Sequence, residues 1–201
     1  MNFLSIDGSL KSIIFYVKNN NKSFSETFQS NKYNYENFSS LLINFLERNK
    51  VKLENLEKIF VCQGPGNFSS LRTSIAIAKG IGISQNIEIF GYNNFLLAGS
   101  KYFKKKFILI IPKKENFFFV QEFEKNLKTQ VVPQTKSFEE IINCKKKALV
   151  LVDYNLDKNN NFELLSKTNN IDIITIDYEN IIFLYNKKLT TKKLIKPLYL
   201  S

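Results

Sequence analysis

The chain has 201 residues, of which 44% are hydrophobic, and it carries a net charge of +11. This length and apolar content predict a globular protein of one domain or two lobes and exclude an intrinsically disordered chain. The sequence contains no histidine, which excludes Ser-His and Cys-His catalytic pairs as well as histidine metal sites. No apolar run is long enough to span a bilayer and no signal-peptide pattern precedes the first strand, so we expect a cytoplasmic protein without membrane contact.

The first half of the chain predicts three strands followed by alternating helices and strands. Apolar or alternating runs bounded by Asp-Gly and Asn-rich turns predict strands, and apolar residues at helical spacing predict helices. The order β-β-β-α-β-α-β-α matches one half of a ribonuclease H-like fold, an α/β arrangement with a mixed sheet. In chain order we expect strands at 2–7, 12–17 and 22–28, a helix at 34–49, a strand at 58–62, a helix at 69–83, a strand at 86–90 and a helix that begins near Asn93.

The second half repeats this beginning in a shorter and less regular form, as though an internal duplication had occurred. We therefore divide the chain into an N-terminal lobe of residues 1–103 and a reduced C-terminal lobe of residues 104–201. The apolar tail at 196–200 is expected to be extended and docked. The expected elements are strands at 106–111, 117–123 and 127–132, a helix near 137–143, a strand at 147–152, a short helix near 161–167 and a strand at 171–176.

Lysine supplies nearly all of the positive charge. Arginine, whose fork recognises phosphates and bases, occurs only as Arg48 and Arg72. Because the lysine runs are scattered along the sequence, we interpret them as a solvated surface, with a dedicated RNA-binding patch as the alternative. The two cysteines, Cys62 and Cys144, have no CxxC spacing and are interpreted as buried structural thiols.

The two long helices of the first lobe differ in how much of their surface is apolar. Helix 34–49 carries one apolar stripe, whereas helix 69–83 is apolar on nearly all sides. The second helix also contains Gly80 and Gly82, each of which costs about 1 kcal/mol relative to alanine in a helix interior. Close packing of another backbone would explain these glycines. Either the chain itself covers this helix completely, or the helix pair forms a surface that faces a partner.

A glycine-bearing turn joins strand 58–62 to helix 69–83. Residues 63–72 read Gln-Gly-Pro-Gly-Asn-Phe-Ser-Ser-Leu-Arg. Backbone N–H groups at such a turn can hold a phosphate, or the glycines can let the helix pack closely on the sheet. Asp7, at the end of the first strand, can likewise order a magnesium-bound water or cap a turn.

Four motifs resemble those of one protein family in order and spacing. They are Ile-Asp-Gly-Ser at 6–9, Gly-Pro-Gly-Asn-Phe-Ser-Ser-Leu-Arg at 64–72, Ala-Ile-Ala-Lys-Gly at 76–80 and Pro-Leu-Tyr-Leu at 197–200. The chain resembles the TsaB (YeaZ) family from end to end. The resemblance implies an actin-like, Hsp70-type ATPase fold, built from ribonuclease H-like lobes, in which the second lobe is reduced.

The resemblance also implies a function. Members of this family pair with the catalytic paralogue TsaD, and with TsaE, in the N6-threonylcarbamoyladenosine modification of ANN-decoding tRNAs. It implies a non-catalytic activating subunit that forms a heterodimer with TsaD through helices 34–49 and 69–83 and reaches tRNA through the complex. No cofactor, metal or catalytic residue is expected in the chain itself, and whether the chain also forms a homodimer stays open.

We therefore predict a partner-binding surface on the helix pair and a motif turn that serves packing. The predicted partner-binding residues are Phe38, Leu41, Leu42, Phe45, Leu71, Arg72, Ile75, Ala76, Lys79, Gly80 and Ile83. The predicted turn residues are Asp7, Ser9, Gly64, Pro65, Gly66 and Asn67.

Two other functions stay open at this stage. A small nucleotide-binding enzyme of the same fold would hold ATP or ADP and magnesium through Asp7, Ser9 and the turn at 64–66. Two features count against it: Gly8 replaces the threonine of the family pattern, and no second glycine-rich turn follows residue 99. A lysine-rich module would instead bind the tRNA backbone directly, with a steep salt dependence.

Overall fold

The structure is a computed structural model that describes residues 1–10, 12–29, 31–113, 117–142, 149–152, 171–192 and 195–200. The chain forms two units. The first comprises Met1–Asn93 and Tyr185–Tyr199, and the second comprises Asn94–Leu184 and Leu200. The boundary predicted from the sequence lies after residue 103. The chain divides earlier because the helix after Asn93 packs within the second unit, where Gly99 lies against the ring of Phe107.

The first unit contains a five-stranded mixed sheet in the order β3-β2-β1-β4-β5. Strands β1, β2 and β3 are antiparallel neighbours, whereas β1, β4 and β5 run parallel. Helical crossovers between the parallel strands complete the predicted α/β arrangement, which is confirmed. The strands are β1 (Phe3–Asp7), β2 (Ser12–Asn19), β3 (Lys22–Gln29), β4 (Lys58–Cys62) and β5 (Glu88–Tyr92).

The described part of Met1–Asn93 in this unit contains three α-helices and one 3₁₀ turn. The sequence predicts one continuous helix over 34–49, but the chain bends at Asn37, whose φ of −101° and ψ of 13° lie outside the α-helical range. Asn31 starts the first helix, because its Oδ1 accepts the Asn34 N–H at 2.9 Å. The helix predicted at 69–83 is confirmed and is longer at both ends. The elements are α1 (Lys32–Glu36), α2 (Phe38–Arg48), the 3₁₀ turn Leu53–Asn55 and α3 (Phe68–Gln85).

One face of this sheet packs against α2 and α3. Leu4, Ile6 and Phe15 from the strands share a buried cluster with residues of both helices. The ring of Phe15 lies 5.4 Å from that of Phe38 and 5.8 Å from that of Phe45. Burial of these rings against the sheet stabilises the unit, because each ring removes a large apolar area from water.

The opposite face of the sheet is aromatic and is covered where the chain returns to the first unit. The ring of Phe60 lies 5.3 Å from that of Phe3 and 5.7 Å from that of Phe90. Tyr185 meets Phe60 and Phe90 edge-on at 5.9 Å and 5.1 Å. Thr191 then exchanges two backbone hydrogen bonds with Gly91, at 2.7 Å and 2.8 Å, which covers part of the open edge of β5.

A carboxylate between two lysines also ties the returning segment to β5. Glu88 pairs with Lys58 at 3.0 Å and with Lys192. Hydrogen bonds from Lys192 and then from Lys58 lower the pKa of Glu88 from 4.5 to about 2. Because the folded-state pKa lies below the unfolded one, the contribution to stability is present above pH 4.5 and is lost as the pH falls towards 2.

Titration of the Glu88 carboxyl by NMR measures this pairing directly. We expect a pKa of about 2 in the wild-type chain and a higher pKa in Lys192→Gln, which removes the largest contribution. Lys188→Gln is the matched control, because this exposed lysine lies on the same segment, and it should leave the pKa of Glu88 unchanged. An ordinary pKa for Glu88 in the wild-type chain would contradict the pairing.

The second unit repeats the sheet topology of the first, in the order β10-β9-β6-β7-β8. Strands β6, β7 and β8 are antiparallel neighbours and β6, β9 and β10 run parallel, so each strand has a counterpart in the first sheet. The internal duplication that the sequence indicates is therefore visible in the strand order. The strands are β6 (Phe107–Pro112), β7 (Phe117–Phe123), β8 (Gln134–Ser137), β9 (Leu149–Val152) and β10 (Ile171–Ile174).

The described helices of the second unit are short. They are α4 (Asn94–Gly99), α5 (Phe138–Ile142) and α6 (Ile181–Asn186), whose last two residues already belong to the first unit, with 3₁₀ turns at Ser100–Tyr102, Lys125–Leu127 and Tyr178–Asn180. Within the described ranges of the whole chain, no helix has the length and apolar character needed to cross a bilayer.

The third strand of the second unit begins later than predicted. The sequence predicts a strand at 127–132, but Asn126 and Leu127 have φ values of 63° and 54°, in the left-handed region that interrupts an extended chain. The sequence analysis also does not predict α6, whose six residues are too few to show a helical period. The helix predicted near 161–167 lies outside the described residues.

Candidate functional site

The glycine turn between β4 and α3 lies directly against the turn that follows β1. The Asn67 N–H donates to the carbonyl oxygen of Ser9 at 2.5 Å. A Cβ on Gly66 would lie 1.6 Å from that same oxygen, so only glycine fits there. Gly64 has a φ of 104°, a backbone conformation that residues other than glycine rarely adopt. The two turns form one packed unit, and the glycines make their close approach sterically possible.

Asp7 stabilises the turn that follows β1 through hydrogen bonds of its buried side chain. Its side chain is buried, and its Oδ1 accepts hydrogen bonds from the Ser9 N–H at 2.9 Å and the Ser9 hydroxyl at 2.5 Å. This geometry is that of a turn cap. Burial, with the charge of Asp7 as a second cause, raises the pKa of the Cys62 thiol well above its usual range. Cys62 is therefore a buried thiol of low reactivity, as predicted, and Cys144 lies outside the described residues.

The start of α3 is capped by the chain itself. The side-chain oxygen of Asn67 accepts the N–H groups of Ser69 and Ser70 at 3.1 Å and 3.3 Å. Such amides are the groups that a phosphate uses at a helix start. A Cβ on Gly8 would lie 2.4 Å from the hydroxyl of Ser74, one turn further along α3. Both motifs therefore fix where α3 begins and how closely it approaches the sheet.

α3 has one buried face and one exposed face along its length. Leu71, Ile75, Ala78 and Gly82 lie on the buried face. α3 contains no aspartate or glutamate, so its own charges are all positive. Six of its exposed residues, called the α3 surface from here on, are Phe68, Arg72, Ala76, Lys79, Gly80 and Ile83. Five of these six are predicted partner-binding residues, and the structure brings them together on one side of the helix.

The two glycines of α3 have different environments. A Cβ on Gly82 would lie 2.5 Å from the Cδ1 of Ile89 and 3.0 Å from the carbonyl oxygen of Ile87, so Gly82 serves packing inside the chain. A Cβ on Gly80 would meet nothing within 4 Å. Glycine in a helix interior costs about 1 kcal/mol relative to alanine. Nothing in the described part of the chain offsets this cost at Gly80, whereas close approach by the backbone of another molecule would.

The predicted partner-binding residues of α2 lie mainly beneath the surface. Leu41 is partly buried against the core cluster, and Ile43, with 52% of its surface exposed, is the large apolar side chain that α2 presents to solvent. The buried residues pack in the core between the helix pair and the sheet and do not form the outer surface of the helices. The predicted residues that are buried in this way are Phe38, Leu42 and Phe45 on α2 and Leu71 and Ile75 on α3.

The C-terminal tail contributes to the same region of the first unit. The Leu198 N–H donates to the Gln63 carbonyl at 2.6 Å, and the Gln63 Nε2 donates to the Lys196 carbonyl at 2.8 Å. Tyr199 then stacks on Phe68, with the ring centroids 5.1 Å apart. Neither Phe68 nor Tyr199 is among the site residues predicted from the sequence. The sequence feature that could have indicated Phe68 is its position four residues before Arg72, which places both residues on one helix face.

The strand order of each unit is that of a ribonuclease H-like sheet, and two such units in one chain define a protein with an actin-like, Hsp70-type fold. Two solved structures from Pseudomonas aeruginosa show this fold. YeaZ matches with a TM-score of 0.70 over 99% of both chains, at 10% identity. A protein described as similar to peptidase YeaZ matches with a TM-score of 0.71 over 100% of this chain and 99% of that one, also at 10% identity.

Sequence comparison narrows the class to a family. The family model described as TsaD, tRNA N6-adenosine threonylcarbamoyltransferase, matches residues 29–145, which is more than half of the chain. Two curated proteins of Buchnera aphidicola, both named tRNA threonylcarbamoyladenosine biosynthesis protein TsaB, are similar. The one from the Schizaphis graminum strain is 28% identical over 114 residues, and the one from the Acyrthosiphon pisum strain is 26% identical over 102 residues.

Each of these matches covers 51% of this chain, and they cover 54% and 46% of the two relatives. The chain thus spans about half the length of the curated relatives that it matches. Together with the match to the family model, these findings show that the chain belongs to the TsaB (YeaZ) family of TsaD-related proteins.

Proposed function

We propose that this chain is a non-catalytic subunit that binds TsaD and holds it in an active arrangement for the N6-threonylcarbamoyladenosine modification of ANN-decoding tRNAs. The chain's curated relatives are named for this pathway, and the family model that it matches is that of the transferase. In this proposal TsaD performs the transfer and TsaE is the third protein of the complex. tRNA is bound by the complex and not by this chain alone.

The observation that carries the proposal is the α3 surface. Ala76 and Gly80 lie one helical turn apart on it and present no group larger than a methyl, while Ile83 beyond them is 83% exposed. Small residues at this spacing let a second helix approach to an interaxial distance of about 8 Å. An exposed apolar strip with an unexplained glycine therefore fits a helix of a partner protein.

The motif turn supports the non-catalytic part of the proposal. Asn67 already satisfies amides at the start of α3, and Asp7 is buried as a turn cap. A nucleotide-binding enzyme of this fold would have to release both groups to hold phosphates and magnesium. We therefore assign no catalytic residue and no resident cofactor to the chain.

Co-expression with TsaD of the same organism tests the proposal. We expect the two proteins to elute as one heterodimer in size-exclusion chromatography with light scattering. We also expect the rate at which TsaD modifies tRNA to rise when the chain is added. Independent elution of the two proteins, or a homodimer of this chain that excludes TsaD, would contradict the proposal. Micromolar binding of ATP with magnesium by the isolated chain would instead favour the nucleotide-binding enzyme.

A further inference from the structure

The C-terminal tail holds an aromatic side chain in a defined position beside α3. Ile195 is buried in the core cluster of the first unit, and the residues after it are fixed by the two hydrogen bonds to Gln63. Tyr199 directly follows Leu198, whose N–H makes one of these bonds. Its ring therefore projects from an anchored backbone, although 55% of its surface is exposed.

Tyr199 takes part in an exposed stack of three side chains. Its ring lies 5.1 Å from that of Phe68 at an interplanar angle of 29°, and the guanidinium carbon of Arg72 lies 4.3 Å from the centre of the Phe68 ring. Phe68 is 49% exposed and Arg72 is exposed as well. Stacking on a neighbour restricts the motion of each side chain, so the conformational cost of binding is reduced before a partner arrives.

The charge of this stack is not neutralised within the described part of the chain. No described carboxylate lies within ion-pair distance of Arg72. Lys79, seven residues further along α3, lies on the same exposed face and adds a second positive charge. A partner surface that carries a carboxylate beside apolar side chains would be complementary to both the charge and the rings.

We propose that the Arg72–Phe68–Tyr199 stack is an anchor for a protein partner that presents a carboxylate next to an apolar side chain. The guanidinium fork binds the carboxylate, and the two rings bury the apolar neighbour. This inference rests on the proposed function, because it extends the α3 surface to the partner described there. It assigns the C-terminal tail a part in that interface, and arginine and tyrosine are among the residues that dominate binding energy at such interfaces.

The test is the affinity of the wild-type chain and of three variants for TsaD, measured by titration calorimetry. We expect Phe68→Ala, Tyr199→Ala and Arg72→Gln each to weaken binding about thirtyfold or more. Because the Phe68 ring stacks directly on Tyr199, the effects of Phe68→Ala and Tyr199→Ala should be less than additive in the double variant. Added salt should weaken the wild-type complex more than the Arg72→Gln complex, because the pairing is electrostatic.

Phe117→Ala is the matched control, because Phe117 is a phenylalanine of the second unit with 48% of its surface exposed. It should leave the affinity for TsaD within about twofold of wild type, since a half-exposed ring that lies outside the proposed interface does not contact the partner. Thermal unfolding followed by circular dichroism checks that each variant is folded. Tyr199→Ala removes one ring of the stack without changing the sequence of any helix.

The outcomes separate this inference from the proposed function. Wild-type binding to TsaD that all three variants retain would overturn the anchor and leave the proposed function standing. No binding by the wild-type chain would overturn both. If the variants lost affinity for a tRNA anticodon stem-loop but kept their affinity for TsaD, the stack would be a platform for bases, and the protein anchor would be wrong.

Discussion

We expect the substitution Gly80→Glu to disrupt the complex with TsaD while the free chain stays folded. Position 80 is exposed and a side chain there meets no atom of the described chain, so a glutamate is accommodated in solvent. Glutamate also has a better helix propensity than glycine. Under a closely packed partner helix, however, the carboxylate would be buried without a counter-charge, which costs several kcal/mol. We expect the dissociation constant to rise at least about a hundredfold.

The variants around Gly80→Glu separate charge, size and folding. Ala76→Glu places the same charge one turn earlier on the α3 surface and is expected to have the same effect. Val132→Glu is the control, because Val132 is an apolar residue of the second unit with 76% of its surface exposed, and it should leave the affinity unchanged. Wild-type affinity in both α3 variants would contradict the interface.

Gly80→Ala tests the steric part of the argument alone. In the free chain this change should raise the free energy of unfolding by about 1 kcal/mol, because it removes the cost of a helical glycine and introduces no clash. In the complex the added methyl group should weaken binding, since it lies where the partner backbone approaches. Gly82→Ala should show the opposite pattern, a less stable chain, because its Cβ would meet Ile89.

Most of the predicted partner-binding residues of α3 are exposed, whereas those of α2 lie mainly in the core, for a physical reason. An apolar stripe at helical spacing marks the side of a helix that packs on its own sheet, so Phe38, Leu42 and Phe45 are core residues. A sequence pattern predicts exposed apolar residues only where the remaining sides of the helix are apolar too. α3 meets that condition through Ala76 and Ile83, whereas α2 offers only the isolated Ile43.

Local backbone choices and distant contacts are the parts that the sequence pattern does not predict. The bend at Asn37 and the left-handed φ values at Asn126 and Leu127 each shift an element, but asparagine also occurs inside the helices, as Asn34 and Asn44, so an asparagine alone does not locate a break. The stack of Tyr199 on Phe68 joins the last residues to the start of α3. No periodicity connects two such positions, so only the folded chain reveals the contact.

Gly66→Ala should destabilise the chain more than any other single methyl group considered above. The new Cβ would lie 1.6 Å from the Ser9 carbonyl oxygen, 2.4 Å from its carbon and 2.9 Å from the Ser9 Cα. All three are backbone atoms, so no side-chain rotation relieves the clash. The Ser9 backbone is also held by the Asn67 N–H and by Asp7, and moving it would break these bonds. We expect a loss of more than about 3 kcal/mol in the free energy of unfolding.

This loss decides between the two interpretations of the glycine turn. If Gly66 served to let a phosphate approach the backbone, alanine would lower nucleotide affinity and leave the folded chain intact. If it serves to bring the two turns together, the urea midpoint of the isolated chain falls with no ligand present. Gly80→Ala, which adds the same methyl group in open space, provides the reference for the measurement. A wild-type urea midpoint for Gly66→Ala would show that the two turns can separate without cost, and the packing role assigned to the motif would then be wrong.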